Sequence, residues 1–128
     1  MITIQRFIFN LFQQNTYLLF DETKECAIVD PGCYSMEEKE ELSHFITDNH
    51  LIPTLLLNTH CHVDHVLGNA FVFSQYGLKA KAHSAEKEML EMAAEQGRMF
   101  GFSLEVPPPL DDYLNDGDSI KLGNSSIK

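Results

Sequence analysis

The feature that most constrains the fold is a short apolar strand that ends directly in a run of potential metal ligands. The segment Thr54-Leu55-Leu56-Leu57-Asn58 is followed without a spacer by Thr59-His60-Cys61-His62-Val63-Asp64-His65. A short continuous apolar run that ends at polar residues indicates a buried strand. In open α/β sheets, ligands bind beyond the carboxyl ends of the strands, so this run stands where a functional site is expected.

The spacing within this run can bring four metal-binding side chains to one place. If these residues leave the strand in extended form, His60 and His62 point to one side and Cys61 points to the other. Asp64 and His65 follow where the strand pattern becomes helical, and both can turn back toward the same cavity. Imidazole and carboxylate ligands suit zinc first, with iron or manganese as alternatives. The competing interpretation is a chance cluster of histidines on a polar loop.

Strand patterns recur along the chain, and the first two of them predict a hairpin. The predicted strands cover residues 2–9, 15–20, 26–29, 54–58, 79–83, 119–122 and 125–128. Helical patterns separate several of these strands. Such alternation favours an α/β fold in which helices pack on a mixed β-sheet.

Three helices are predicted between the strands. Ser35 and Glu38 fit a capping box at the start of the first helix. The second runs from about Asp64 until Gly77 ends it, and Ser84 is the predicted N-cap of the third. The apolar face of the third helix is predicted to hold Met89, Met92, Ala93, Met99 and Phe100.

Composition limits the classes of partner. Nine Lys and Arg stand against nineteen Asp and Glu, and the formal net charge is −10. This balance disfavours binding to nucleic acid and to anionic membranes, which both require a basic surface. No apolar run approaches the roughly 18 residues that span a bilayer, and the N-terminus lacks a signal-peptide pattern. We therefore expect a cytoplasmic protein with reduced cysteines.

The ligand run resembles the signature of the metallo-β-lactamase superfamily. Val29-Asp30-Pro31-Gly32 resembles the upstream aspartate element of that family. Asn15-Thr16-Tyr17-Leu18 and Leu114-Asn115-Asp116-Gly117-Asp118 resemble segments of its glyoxalase II-like branch. The resemblance covers nearly the whole chain. It implies the N-terminal half of an αββα sandwich, with a mixed sheet and helices on one face.

The resemblance also implies a ligand set. His60 and His62 would bind a first metal ion, and Asp64 and His65 a second. Asp64 would also be the catalytic residue that orients the nucleophile and shuttles a proton. Family members take further ligands from later segments, and the expected Gly-His-Thr segment does not occur in this sequence. We therefore interpret residues 1–128 as a single domain that is truncated at its C-terminal end.

The implied activity is the hydrolysis of a small-molecule ester or thioester, with hydroxyacylglutathione-like thioesters as the best match. One or two zinc ions, or iron or manganese, would supply a metal-bound hydroxide. The alternative is a catalytically incomplete metal-binding half-domain. Such a half-domain would expose an apolar sheet face, through which we expect it to form a homodimer.

Other residues near the ligand run have two interpretations each. Asp30 is either a turn former before Pro-Gly or, as the resemblance implies and as we favour, a carboxylate that holds the ligand loop or a ligand histidine. Thr59 either holds the same loop or simply ends a strand. Gly68 is either a point of close backbone approach or a tolerated helix glycine. His83 is more simply a surface or capping histidine than a ligand.

Overall fold

A six-stranded mixed sheet organises the chain. The computed structural model describes residues 2–10, 12–99, 101, 107–110, 112–114 and 118–127. The sheet strands are β1 (Thr3–Phe9), β2 (Gln14–Phe20), β3 (Glu25–Val29), β4 (Ile52–Leu57), β5 (Ala80–His83) and β6 (Asp112–Leu114). They lie side by side in sequence order. A separate two-stranded ribbon contains β7 (Ile120–Leu122) and β8 (Ser125–Ile127).

Within the described ranges, five helices and one 3₁₀ turn connect the strands. They are α1 (Met36–Asp48), α2 (Val63–Val66), α3 (Asn69–Tyr76), the 3₁₀ turn Ser84–Glu86, α4 (Lys87–Glu91) and α5 (Ala93–Met99). The pairs β1–β2 and β2–β3 are antiparallel, whereas β3–β4, β4–β5 and β5–β6 are parallel. The predicted mixed α/β fold and the predicted first hairpin are therefore confirmed. Strand β6 was not predicted.

The predicted capping box at the start of α1 is also confirmed. The Ser35 hydroxyl accepts the Glu38 backbone N–H at 3.1 Å, and the Glu38 carboxylate accepts the Ser35 N–H at 3.3 Å. The same carboxylate accepts the backbone N–H of Asn10 at 2.6 Å and that of Tyr34 at 2.9 Å. A local cap thus also ties the β1–β2 turn to the loop before α1.

The two faces of the sheet pack into hydrophobic cores of different size. The larger core includes Phe9, Leu18, Ile28, Leu42, Leu56 and Val72. The opposite face packs Ala27, Val29 and Leu57 against Leu122 of the β7–β8 ribbon. Alternating residues of one strand, such as Ile28 and its neighbours, supply the two faces. Burial of each large apolar side chain stabilises the fold by about 1.5–3 kcal/mol.

The second predicted helix is broken at Gly68. Its backbone N–H donates to the Pro31 carbonyl at 2.7 Å, which separates α2 from α3. A Cβ at Gly68 would lie 2.5 Å from Cys33 Sγ and 2.8 Å from the Pro31 carbonyl oxygen. Gly68 is therefore a point of close backbone approach, the first of its two interpretations.

The third predicted helix differs from the structure in two respects. Its start is a 3₁₀ turn, and His83 caps it, not Ser84, because His83 Nδ1 accepts the Ala85 N–H at 3.0 Å. The exposed His83 is thus the capping histidine of its simpler interpretation.

The predicted apolar face of that helix, which includes three methionines, is also partly wrong. A turn at Met92 separates α4 from α5 and resets the helical spacing. Met92 and Met99 are therefore 49% and 81% exposed, while Leu90 and Ala93 are buried and Met89 packs partly against them. Phe100 and residues 115–117, which were also interpreted from the sequence, lie outside the described residues. Within the described part of the chain, no helix is long and apolar enough to cross a membrane.

Candidate metal site

The ligand run leaves the sheet at the carboxyl end of β4, between β3 and β5. Asn58 follows β4 and is buried, with its N–H donated to the Lys81 carbonyl at 3.1 Å. Its side chain accepts the Asn69 amide at 2.8 Å. These two bonds fix the point at which the chain departs from the sheet, immediately before Thr59.

The predicted alternation of the ligand run is present in the structure. The ring centroids of His60 and His62 are 5.9 Å apart, with the rings stacked at 15°. The His65 ring lies 5.5 Å from that of His60. Cys61, between the two histidines, points the opposite way and is fully buried. Three imidazoles are thereby gathered on one side of the loop.

Cys61 is not suited to be a metal ligand in this arrangement. Burial, with the nearby Glu86 and Asp30 carboxylates, raises the pKa of its thiol to about 12. A thiol binds metal as the thiolate, which this environment strongly disfavours. The thiol instead packs with Val66 and Ala82 in a small apolar cluster.

Asp30 lies beneath the ligand run. It follows β3 and is 4% exposed, and its φ of 51° is a left-handed conformation that Asp tolerates better than most residues. Its carboxylate accepts the Thr59 backbone N–H at 2.7 Å and also the Thr59 hydroxyl. His65 Nδ1 stands 3.2 Å from the same carboxylate. One side chain therefore contacts both ends of the run.

This contact sets the orientation of His65. The hydrogen bond with Asp30 is the main cause that raises the His65 pKa above its ordinary value. With Nδ1 donating to Asp30, the lone pair of the neutral ring is left on Nε2. That nitrogen lies 3.7 Å from the Asp64 carboxylate. Asp64 and His65 thus form a second pair of donors beside the His60–His62 pair.

Two polar residues of the site were not predicted from the sequence. Gln14, at the start of β2, is 7% exposed, and its amide nitrogen lies 3.3 Å from His65 Nδ1. Asn10 donates to the carbonyls of Gly32 and Asp64 at 3.0 and 3.1 Å. A Cβ at Gly32 would lie 2.8 Å from the Asp64 carbonyl, so the loops pack tightly here. No local pattern marks these residues, because their partners are distant in sequence.

An open cleft of about 370 Å³ adjoins these groups. Its wall includes Gln13, Gln14, Asn15, Tyr17, Asp30, Thr59, His60, Asp64 and His65. The cleft thus has the β1–β2 turn on one side and the ligand run on the other. A small polar molecule would meet amides, a phenol and imidazoles there.

The imidazoles and the carboxylate of the ligand run are groups that bind metal ions, and they lie in two pairs. In the part of the chain that the structure describes, no three His, Cys, Asp or Glu side chains are placed to hold one ion together. His60 with His62, and Asp64 with His65, are each pairs of nitrogen or oxygen donors that zinc and iron accept. The side chain of His62 is exposed and that of Asp64 is partly exposed, so both are accessible to an ion.

Comparison with known protein families gives one match across most of the chain. Residues 9–128 match the model of the metallo-beta-lactamase superfamily. The chain is 34% identical over 118 residues to hydroxyacylglutathione hydrolase GloC of Haemophilus influenzae, covering 87% of the chain and 51% of that protein. It is 30% identical over 106 residues to the probable metallo-hydrolase YqgX of Bacillus subtilis, covering 83% and 48%.

Solved structures show the same similarity in three dimensions. The BLEG-1 B3 metallo-beta-lactamase superposes with a TM-score of 0.81 at 26% identity, over 97% of this chain and 58% of that one. The TTHA1623 protein, crystallised in a di-iron-bound form, superposes with a TM-score of 0.79 at 26% identity, over 91% and 56%. The chain spans about half the length of the curated relatives it matches.

Proposed function

We propose that this chain, which belongs to the metallo-beta-lactamase superfamily, carries the metal-binding residues of a hydrolase that cleaves a thioester. The observation that carries the proposal is the gathering of His60, His62 and His65 on one side of a loop that Asp30 holds from below. The similarity to hydroxyacylglutathione hydrolase GloC favours a hydroxyacylglutathione-like substrate.

Each donor pair has a proposed role. His60 and His62 bind one metal ion, and Asp64 and His65 bind a second. Zinc suits these ligands first, and the di-iron form of the similar TTHA1623 structure supports iron as the alternative. Asp30 acts through His65 and Thr59. It fixes the His65 ring so that Nε2 lies beside the Asp64 carboxylate, and it holds the start of the loop through Thr59.

The chemistry follows from these roles. A bound divalent metal supplies Lewis acidity, which lowers the pKa of water and polarises a carbonyl group. Asp64, beside His65 and partly exposed, is placed to orient the attacking water and to carry its proton. The exposed amide of Gln13, on the opposite wall of the cleft, can hydrogen-bond a polar acyl group or peptide-like moiety.

Hydrolysis assays with metal-loaded protein test the proposal. Lactoylglutathione, a simple lactone and a phosphodiester would be compared for the chain and for His60→Ala. His44→Ala is the matched control, because His44 is an exposed histidine on α1, away from the loop. We expect weak thioester turnover, because family members take further metal ligands from later segments, and we expect His60→Ala to abolish it and His44→Ala to retain it. Preferred cleavage of the lactone or phosphodiester would overturn the substrate assignment.

A second candidate is a metal-binding half-domain that self-associates. It is supported by Ile4 and Ile8 on the edge strand β1, which are 63% and 56% exposed. They alternate with Phe7, which faces the larger core, and so lie on the other face of the sheet. A homodimer through that face would cover them. Light scattering should then show a dimer that Ile8→Lys dissociates, and a monomer at all concentrations would refute this candidate.

A further inference from the structure

Glu86 is far from the ligand run in sequence but contacts its centre. It ends the 3₁₀ turn Ser84–Glu86, and its half-buried carboxylate accepts the backbone N–H of Cys61 at 2.8 Å. Cys61 lies between His60 and His62. Hydrogen bonds between a backbone N–H and a charged acceptor are among the stronger kinds in proteins.

The sheet explains how Glu86 reaches this place. Strand β5 pairs in parallel with β4, with Leu57 opposite Lys81, so both strands end at the same edge. The ligand run continues from β4, and the 3₁₀ turn continues from β5. From the end of β5, the Glu86 side chain therefore reaches the backbone of the ligand run, which follows the neighbouring strand β4.

Cys61 is held by two independent anchors. Its side chain packs with Val66, Ala82, Leu90 and Ala93. Its backbone N–H is donated to Glu86. A buried side chain alone leaves the peptide plane between residues 60 and 61 free to rotate, and the hydrogen bond removes that freedom. Fixing this plane restricts the ψ angle of His60 and the φ angle of Cys61, and so restricts the backbone from which His60 and His62 project.

We propose that Glu86 is a positioning residue for the metal loop, which keeps His60 and His62 on one side by holding the Cys61 amide. This inference rests on the proposed metal-binding function. It concerns the backbone of the loop, whereas Asp30 acts on Thr59 and His65. The two carboxylates thus hold the run at different points.

Four variants separate this role from a general effect on the fold. Glu86→Ala removes the acceptor, and Glu86→Gln retains an acceptor oxygen without the charge. Glu86→Asp is one methylene shorter and keeps the test available if the alanine variant does not fold. Glu88→Ala is the matched control, because Glu88 is exposed on the adjoining helix α4.

Two measurements on the chain are informative. Calorimetric titration with Zn²⁺ should show affinity about tenfold weaker for Glu86→Ala and Glu86→Asp, by comparison with the tenfold to 100-fold cost typical of groups that support metal ligands. Glu86→Gln should remain within about threefold of the parent chain, because a neutral acceptor keeps part of the bond. Amide hydrogen exchange without metal should be about tenfold faster at Cys61 in Glu86→Ala and Glu86→Asp, and unchanged in Glu86→Gln and Glu88→Ala.

The outcomes distinguish this inference from the proposed function. A parent chain that binds no Zn²⁺ refutes the metal function, while exchange at Cys61 still tests the contact with Glu86. Unchanged exchange and unchanged affinity in a folded Glu86→Ala or Glu86→Asp variant overturn the inference. Equal losses in Glu86→Gln and Glu86→Ala would also overturn it, since charge would then matter and not the hydrogen bond.

Discussion

Asp21 and Asp30 each follow directly after a strand, and both are buried, with 3% and 4% of their surface exposed. Asp21 accepts the backbone N–H groups of Thr23 at 2.9 Å and Asn124 at 2.7 Å, together with the hydroxyls of Thr23 and Ser125. It thereby joins the turn after β2 to the β7–β8 ribbon.

Asp30 has a different set of partners. It accepts from the backbone and hydroxyl of Thr59, but it also contacts the imidazole of His65, which can change its protonation and bind metal. The described partners of Asp21 are backbone amides and hydroxyls, which do not titrate near neutral pH. A buried carboxylate surrounded by fixed donors serves the fold, whereas one that shares a histidine at the wall of a cleft is suited to support chemistry.

The largest expected effect is on Zn²⁺ binding by the loop that Asp30 holds. His62→Ala should weaken Zn²⁺ binding at least about 100-fold, because it removes a ligand and not merely a supporting group. Its thermal unfolding without metal should shift by no more than about 3 °C, since His62 is exposed. Calorimetry on the two proteins measures the first effect and a thermal scan the second. Equal affinities would remove His62 from the site.

The next effect concerns the Asp21 junction. Gly123 has a φ of 57°, and a Cβ there would meet the Thr23 hydroxyl and lie 2.5 and 2.6 Å from the Asp21 carboxylate oxygens. Gly123→Ala should therefore lower the free energy of unfolding by about 2–4 kcal/mol, from backbone strain and overpacking together. Urea denaturation measures this loss.

Gly77 provides the control for that substitution. Its φ is 72°, but a Cβ there would meet nothing within 4 Å. Gly77→Ala should therefore cost only the backbone strain of about 1–2 kcal/mol. Equal losses for the two alanine variants would show that contact with Asp21 contributes nothing.

The pH dependence of stability is a smaller effect of the same junction. Hydrogen bonds, led by that from the Thr23 hydroxyl, hold the pKa of Asp21 well below its ordinary value. A carboxyl with a depressed folded-state pKa stabilises the fold above its unfolded pKa of about 3.9 and loses that contribution as the pH falls further. Unfolding measured from about pH 5 down to about pH 2 should show this loss begin near pH 4 and grow as the pH falls further.

Two variants check the assignment of that loss. Asp21→Asn should flatten the acid limb of the stability curve, because the amide does not titrate. Asp48→Asn, a change at the exposed end of α1, should leave the limb close to that of the parent chain. An acid limb that survives in Asp21→Asn would assign the dependence to other carboxylates.

The smallest effect is expected at Thr59. Thr59→Val keeps the backbone N–H bond to Asp30 and removes only the hydroxyl bond. One such bond is worth about 1 kcal/mol, which corresponds to a Zn²⁺ affinity roughly fivefold weaker. Thr54→Val, which removes a weaker hydroxyl contact of 3.5 Å on β4, is the control. An unchanged affinity in Thr59→Val would limit the Asp30 role to the backbone bond.

The sequence predicted the parts of the molecule that local spacing determines. The capping box at Ser35 and the opposite directions of Cys61 and His60 depend on neighbours within a few residues, and both are present. The position of Asp30 under the loop was also expected, although its partner Thr59 is distant, because the family resemblance supplied it.

Features that depend on distant contacts were missed. The contacts of Gln14 with His65 and of Glu86 with Cys61 join segments 51 and 25 residues apart. The prediction of the third helix was wrong at Met92, because a turn there interrupts the helical spacing from which its apolar face was predicted. Spacing along one element cannot show which side chain reaches across from the next.

The most direct test compares the two aspartates. Zn²⁺ titration of folded Asp30→Asn and Asp21→Asn chains at neutral pH measures whether each carboxylate supports the metal loop. We predict affinity about tenfold to 100-fold weaker for Asp30→Asn, because its amide cannot accept from both Thr59 and His65 in the same way. Asp21→Asn should bind as the parent chain does. Equal affinities in the two variants would contradict the division between a carboxylate of the site and one of the fold.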